Sequence, residues 1–115
     1  MKLALPIALA AASLLTACNY TKPVMYLDVT NQSQGVMRNI ELTHPTGTVG
    51  IPQLRPGDGH QHMTPIGAPC KFQLKFEDED GRLHQKDFDL GEKCPVELSF
   101  DVTNGMQVNA RVVKR

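Results

Sequence analysis

The stretch VELSFDVTNGMQVNARVV, residues 96–113, decides the fold of this protein. On both sides of Asn104-Gly105, apolar and polar residues alternate with a period of two, which is typical of a β-strand with one face in a core and one in water. Asn-Gly between two such runs is a strong hairpin signal, because both residues tolerate the positive φ of a type I′ turn. We therefore predict an antiparallel hairpin. Its core-facing residues would be Val96, Leu98, Phe100 and Val102 before the turn, and Met106, Val108, Ala110 and Val112 after it.

A second hairpin is predicted directly upstream. Phe72, Leu74 and Phe76 alternate with polar residues, the chain reverses near Asp80-Gly81, and residues 83–90 return. The acidic run around this reversal lacks the spaced oxygen ligands and the closing glutamate of an EF-hand calcium loop. We therefore interpret it as a solvated hairpin tip.

Weaker strand candidates occupy the chain before Cys70. They are residues 24–30, 36–43, 49–54 and 60–66. The turn-rich segment 55–59 separates the last two. Together with the hairpins this makes about eight short strands at intervals of about 8–12 residues, a pattern typical of a β-sandwich or barrel. No stretch after Cys18 shows a helical period long enough to predict a helix, so we predict one all-β domain.

The N-terminus has the features of an exported protein. Lys2 precedes the apolar residues 3–14, which have the length of a signal-peptide core and fall short of the roughly 20 residues that a membrane-spanning helix needs. The next four residues, Leu-Thr-Ala-Cys at 15–18, resemble the bacterial lipobox, the signal for lipoprotein processing. The resemblance implies that residues 1–17 are a helical signal peptide, that cleavage occurs before Cys18, and that a diacylglyceryl group joins the Cys18 sulfur.

Lipidation at Cys18 would make the membrane a partner of this protein. Two or three acyl chains hold a protein to a membrane durably, whereas one holds it only marginally. Asn19 stands where an aspartate would, by resemblance to the enterobacterial sorting rule, favour the inner membrane. We therefore expect the periplasmic face of the outer membrane. Residues 18–23 would be the lipidated cysteine and a short tether, and residues 24–115 the β-sandwich domain.

The run NIELTHPTGTVGIPQLRPG, residues 39–57, is similar to stretches of small bacterial lipoproteins in which an aliphatic residue and Pro-Gly close a strand. The similarity implies a single small immunoglobulin-like antiparallel sandwich of about seven to eight strands. It implies no activity, because a fold does not determine a function.

Two further cysteines, Cys70 and Cys94, remain after Cys18. In the oxidising space that an exported chain enters, such a pair is most simply a disulfide. Free thiols or a redox pair are the alternatives, although no CxxC spacing favours redox activity. The disulfide would close a loop of about 25 residues and stabilise the domain by about 3 kcal/mol in the chain-entropy model.

Charge and motif content argue against several classes of function. Twelve basic and 12 acidic residues give a net charge of 0 at pH 7, so no positive excess is available for nucleic acid. The chain has no phosphate-binding glycine loop and no G-x-S-x-G serine, and pairing of Cys70 with Cys94 would remove the thiolate nucleophiles. We expect no nucleic-acid partner, no cofactor and no enzymatic activity.

The candidate metal site is HQHM, residues 60–63. On a strand, His60 and His62 project from the same face, and two imidazoles beside a thioether suit copper in an oxidising compartment. Further soft ligands would come from Met25, Met37 and Met106. The alternative is that the histidines lie on a solvated strand while the methionines fill gaps in the core.

The predicted function is a non-catalytic interaction or accessory module of the cell envelope. It would be anchored at Cys18 and would bind an envelope protein through loops or an edge strand. One alternative is a periplasmic copper binder that uses His60 and His62. Another is an inhibitor of a hydrolase, which is suggested by small size and location alone.

Overall fold

The computed structural model describes residues 23–113, which form eight β-strands and, within that range, no helix. The strands are β1 Val24–Asn31, β2 Met37–His44, β3 Gly47–Leu54, β4 Gly59–Pro65, β5 Lys71–Glu77, β6 Leu83–Asp89, β7 Glu97–Thr103 and β8 Gln107–Val112. The prediction of a small all-β sandwich is confirmed. The predicted signal peptide, the lipidation site Cys18 and the tether before Pro23 lie outside the described residues.

Two four-stranded sheets pack face to face. The first sheet has the order β4-β1-β7-β8 and the second has the order β3-β2-β5-β6. Among the described strands five of the six pairs are antiparallel, and the exception is the central pair of the first sheet, β1 and β7, which is parallel. Within residues 23–113 there is no helix with the length and apolarity needed to cross a bilayer.

Both predicted hairpins are confirmed, but the turn between β7 and β8 differs from the expected type I′ turn. Thr103 pairs with Gln107, which leaves a three-residue loop with positive φ at Gly105 (80°) and Met106 (58°). A two-residue turn would place Val102 opposite polar Gln107, because directly opposed residues share a face. The longer loop instead places Val102 opposite Val108, and both are buried.

The core lies between the sheets and is centred on Phe100 of β7. Its ring centre is 5.3 Å from that of Phe72 and 5.2 Å from that of Phe88, which belong to the opposite sheet. Val96 and Val112 were predicted to face the core, but they are 60% and 52% exposed. Val96 precedes the first residue of β7, and Val112 is the last residue of β8.

The two ends of the sandwich carry different loops. Pro23 leads into β1 at one end, which we call the tether pole; the opposite end is the distal pole. The tether pole consists of loops 45–46, 66–70 and 90–96. The distal pole consists of loops 32–36, 55–58, 78–82 and 104–106. Because every strand reverses direction relative to the strand before it in sequence, successive loops alternate between the poles.

Candidate functional site

Asn31 joins the first two loops of the distal pole. Its side chain is almost wholly buried, and its amide nitrogen donates hydrogen bonds to the backbone carbonyls of Gly35 and Leu54, at 2.8 and 2.9 Å. Its side-chain oxygen accepts a hydrogen bond from the N–H of Ser33 at 3.0 Å. Its own backbone N–H donates to the carbonyl of Asp58 at 2.8 Å. The polar atoms of one buried residue therefore set the shape of both loops.

Asp78 fixes the third distal loop. Its carboxylate accepts hydrogen bonds from the backbone N–H groups of Asp80 and Arg82, at 2.9 and 3.0 Å. The Nε2 atom of His84 is 2.8 Å away and forms a further hydrogen bond. The bonds from His84 and Arg82 lower the pKa of Asp78 below its ordinary value. The acidic run is a hairpin tip as predicted, but Asp78 is buried within it and not solvated, because its carboxylate binds the N–H groups of the turn.

The distal loops also contact one another. Glu79 accepts a hydrogen bond from the backbone N–H of Val36 at 3.3 Å, which joins the third loop to the first. The terminal methyl group of Met106, in the fourth loop, lies 3.4 Å from the point where a Cβ atom on Gly35 would stand. Exposed charges of both signs surround these contacts, on Arg55, Asp58, Asp80 and Arg82. The distal pole is therefore a polar surface whose backbone is held in place by hydrogen bonds.

The outer face of the first sheet carries a second polar cluster. Glu97, Ser99 and Asp101 of β7 were predicted to face water, but all three are buried. The carboxylate of Asp101 accepts hydrogen bonds from the hydroxyl groups of Ser99 and Thr30, at 2.6 and 2.7 Å. The Nε atom of Arg111 donates a third bond to it at 3.0 Å. Burial opposes the charged form of Asp101, but these bonds outweigh it, so the pKa of Asp101 is lowered.

Asp28 lies beside this cluster and behaves in the opposite way. Burial, with the negative charge of Glu97, raises the pKa of Asp28 and outweighs the hydrogen bond with Gln61. A depression of about 450 Å³ is lined by Asp28, Gln61, Glu97 and Arg111, among others. The depression therefore combines carboxylates with the guanidinium group of Arg111. The sequence shows the polar run on β7 but not its parallel pairing with β1, so sequence reasoning missed this cluster.

The two predicted metal ligands, His60 and His62, lie in different surroundings. His60 and His62 share one face of β4, as predicted, and this is the inner face because they lie opposite the buried residues Val29 and Leu27. The ring of His62, however, lies 5.3 Å from the ring of His44 in the opposite sheet, whereas His60 is exposed. In residues 23–113 no three His, Cys, Asp or Glu side chains are close enough together to hold a metal ion. Metal binding by His60 and His62 stays a prediction.

The methionines divide between the core and the surface. Met25 and Met37 are wholly buried in the core, and Met106 is partly buried at the distal pole. Met63 is exposed on the outer side of β4, because it is offset by one residue from His62. The alternation of β4 therefore turns Met63 away from the face that carries His62.

His44 occupies the end of β2, where the two sheets meet. Burial, with the nearby His62, lowers the pKa of His44, because both disfavour a charged imidazole. Its Nδ1 atom is 3.3 Å from the hydroxyl of Thr46, and that hydroxyl is 2.7 Å from the hydroxyl of Thr64 on β4. The two hydroxyls therefore bridge the sheets beside the two imidazoles.

Cys70 and Cys94 form a disulfide at the tether pole, with Cα atoms 5.2 Å apart. Cys70 directly precedes β5, and Cys94 lies in the loop before β7. The Cys94 sulfur is 3.4 Å from the carbonyl oxygen of Gly67. The disulfide therefore lies where the loops of the tether pole meet.

Comparison with known proteins supports the fold. No protein family and no curated protein matches this chain. The chain is similar to a protein from Eubacterium rectale whose structure was solved by NMR, with a TM-score of 0.62 and 13% sequence identity. The similarity covers 82% of this chain and 92% of the other. At this identity the comparison supports the shared sandwich architecture and says nothing of activity.

Proposed function

We propose that this protein is a lipid-anchored, non-catalytic module of the bacterial cell envelope that presents its distal pole to a protein partner. The anchor would be the lipid on Cys18, as the resemblance of residues 15–18 to the lipobox implies. The chain then enters the domain at the tether pole. The 8-residue strand β1 spans about 26 Å, so the distal pole lies at the end far from the anchor.

The network of hydrogen bonds within the distal pole is the observation that carries this proposal. Asn31, Asp78 and Glu79 hold three loops in place, and Met106 brings the fourth loop next to Gly35 of the first. Loops that are ordered before binding lose less conformational entropy when a partner docks, which favours affinity. Exposed charges of both signs favour a protein surface with complementary charges over a polyanion.

The test is a crosslinked, detergent-solubilised pull-down of C-terminally tagged full-length protein. We expect one stoichiometric partner with the lipidated protein and none with a secreted version that lacks Cys18. The charge reversals Asp80→Lys and Arg82→Glu alter exposed residues of the distal pole and should abolish capture. Glu92→Lys is the matched control, because Glu92 is also exposed but lies at the tether pole, so capture should persist. Equal capture by all of these variants would remove the distal pole from the proposal.

Metal binding is a second candidate function, and the pair of histidines that would bind the ion is His44 and His62. A zinc ion lies about 2.0–2.1 Å from each ligating imidazole nitrogen, so two rings that share one ion have centres roughly 5–6 Å apart. The rings of His44 and His62 meet this condition at 5.3 Å. Neutral imidazoles are the form that binds Cu²⁺ and Zn²⁺, and burial favours the neutral form of His44.

Chelator competition with Cu²⁺ separates this pair from the pair first predicted. Binding at His44 and His62 should be lost in His44→Ala and in His62→Ala, and retained in His60→Ala. Loss in His60→Ala with retention in His44→Ala would instead support the pair on β4. The hydrolase-inhibitor alternative stays a prediction, and it is checked by adding the purified protein to lysozymes and proteases.

A further inference from the structure

Exposed apolar side chains are concentrated at the tether pole. Among residues 23–113 six large hydrophobic residues are exposed, and four of them lie at this pole. They are Ile66, Leu90, Val96 and Val112. Of the other two, Met63 lies on the outer face of β4, and Leu83 begins β6 at the distal pole. Single exposed hydrophobic residues need no explanation, whereas several of them at one end of a small domain make that end a candidate contact surface.

The loops of the two poles also differ in the number of charged residues that they contain. The tether-pole loops contain one acidic and one basic residue, Glu92 and Lys93. The distal loops contain six charged residues: Arg55, Asp58, Asp78, Glu79, Asp80 and Arg82. The tether pole is therefore the apolar end of the domain, and the distal pole is the polar end.

Backbone contacts hold the apolar residues of the tether pole in place. Leu90 donates a backbone hydrogen bond to the carbonyl of Cys70 at 2.9 Å, beside the disulfide. Ile66 donates to the carbonyl of Pro23 at 3.1 Å, and the carbonyl of Val96 accepts from Tyr26 at 2.8 Å. Hydrogen bonds therefore hold the backbone that carries these side chains, close to the point where the chain enters β1.

The length of chain before β1 limits what can cover this pole. Residues 19–23 connect Cys18 to Val24, and a fully extended chain covers at most about 3.6 Å per residue. Val24 therefore stays within roughly 20 Å of the lipidated residue, which is less than the length of β1. A short tether gives the membrane surface a high effective concentration at this pole, so a modest apolar contact is enough to keep the pole bound to the membrane.

We propose that the tether pole seats on the bilayer that holds the Cys18 lipid, with Ile66, Leu90, Val96 and Val112 in the headgroup region and the distal pole directed away from the membrane. This inference rests on the lipid anchor of the proposed function. Basic residues next to the pole in sequence, Lys22, Lys114 and Arg115, add attraction to anionic lipids. A lipid surface fits the pole better than a second copy of the chain, because the tether keeps the membrane within reach.

Tryptophan reporters test this orientation, since the sequence contains no Trp of its own. Val96→Trp and Val112→Trp place a reporter at the tether pole, and Leu83→Trp is the matched control, because Leu83 is 62% exposed at the distal pole. Lipidated protein purified from the envelope is reconstituted into vesicles of phosphatidylethanolamine and phosphatidylglycerol with brominated acyl chains. Mass spectrometry of the same samples reports the acyl group on Cys18.

We expect about a twofold loss of emission at positions 96 and 112, because residues at the boundary between headgroups and acyl chains lie about 5–10 Å deep. Emission at position 83 should be unchanged. Acylated protein with no quenching at 96 and 112, or with equal quenching at 83, overturns the docking and leaves the anchor intact. Protein without an acyl group overturns both. If emission is not quenched and two copies of the protein crosslink through position 96, the pole binds a second copy of the chain. That result would also overturn the proposal.

Discussion

Lys86 of β6 donates a hydrogen bond of 2.8 Å from its ammonium group to the backbone carbonyl of Val108 on β8. These are the edge strands of the two sheets on the same side of the sandwich. Val113 bonds to the carbonyl of Glu97 on β7, so the backbone groups of alternate residues such as Val108 point to the free edge of β8. Lys86 therefore occupies part of an edge that could otherwise pair with another chain. An inward-pointing charge is a common way to prevent such pairing.

Replacement of Lys86 should promote self-association. Lys86→Met keeps the length of the side chain but removes the ammonium donor, which frees the Val108 carbonyl and leaves the edge of β8 open. We expect dimers or larger species in size-exclusion chromatography with light scattering of the secreted version that lacks Cys18. Lys71→Met removes an exposed lysine from the outer face of the second sheet and should leave the oligomeric state unchanged. A monomeric Lys86→Met variant would contradict this role.

Loss of the Cys70–Cys94 disulfide should destabilise the domain. The two cysteines are 24 positions apart, and a loop of that length corresponds to about 3 kcal/mol in the chain-entropy model. The double variant Cys70→Ala and Cys94→Ala should therefore unfold at lower urea concentration, with the free energy of unfolding reduced by about 3 kcal/mol. Reduction of the wild type should reproduce the loss. Identical denaturation curves with and without reductant would show that the bond does not stabilise the domain.

Asn31→Ala should be more destabilising than an ordinary polar substitution. It removes the partner of three backbone groups, on Gly35, Leu54 and Ser33, and an unsatisfied buried polar group costs about 1–3 kcal/mol. We expect a loss of about 3 kcal/mol in urea denaturation, together with faster amide exchange in the first distal loop. Asn109→Ala, at an exposed position of β8, is the control and should change stability little.

The stability of the domain should depend on pH through His44. The pKa of His44 is lowered in the folded protein, so the unfolded state binds a proton more readily than the folded state. The stabilising contribution of neutral His44 is therefore complete above the unfolded pKa of about 6.5 and is lost as the pH falls below it toward the folded pKa.

Thermal melts between pH 8 and pH 5 check this expectation, with the wild-type melting temperature falling below a pH of about 6.5. His44→Gln cannot be protonated and should flatten the profile. His60→Gln changes an exposed imidazole and should preserve it. A profile of unchanged slope in His44→Gln would place the pH dependence elsewhere.

Local patterns determined most of the secondary structure. Alternation with a period of two predicts the strands, because each strand buries one face whatever its neighbours are. The same pattern is consistent with the three-residue loop at residues 104–106. Directly opposed residues share a face of the sheet, and this loop length places Val102 opposite Val108. The order of the strands and the parallel pairing of β1 with β7 were not predictable, since they depend on which pairs of faces fill the core together.

The candidate sites depended on that tertiary arrangement. The sequence by itself determined the strands, the separate Asn-Gly turn region and a cysteine pair suited to a disulfide, because these follow from nearest neighbours and from the oxidising compartment expected for an exported chain. Only the tertiary structure placed His44 beside His62, buried Asp101 among Ser99 and Arg111, and gathered apolar residues at the tether pole. These arrangements depend on how the strands and the two sheets are placed against one another, and they form because two sheets must close over one core.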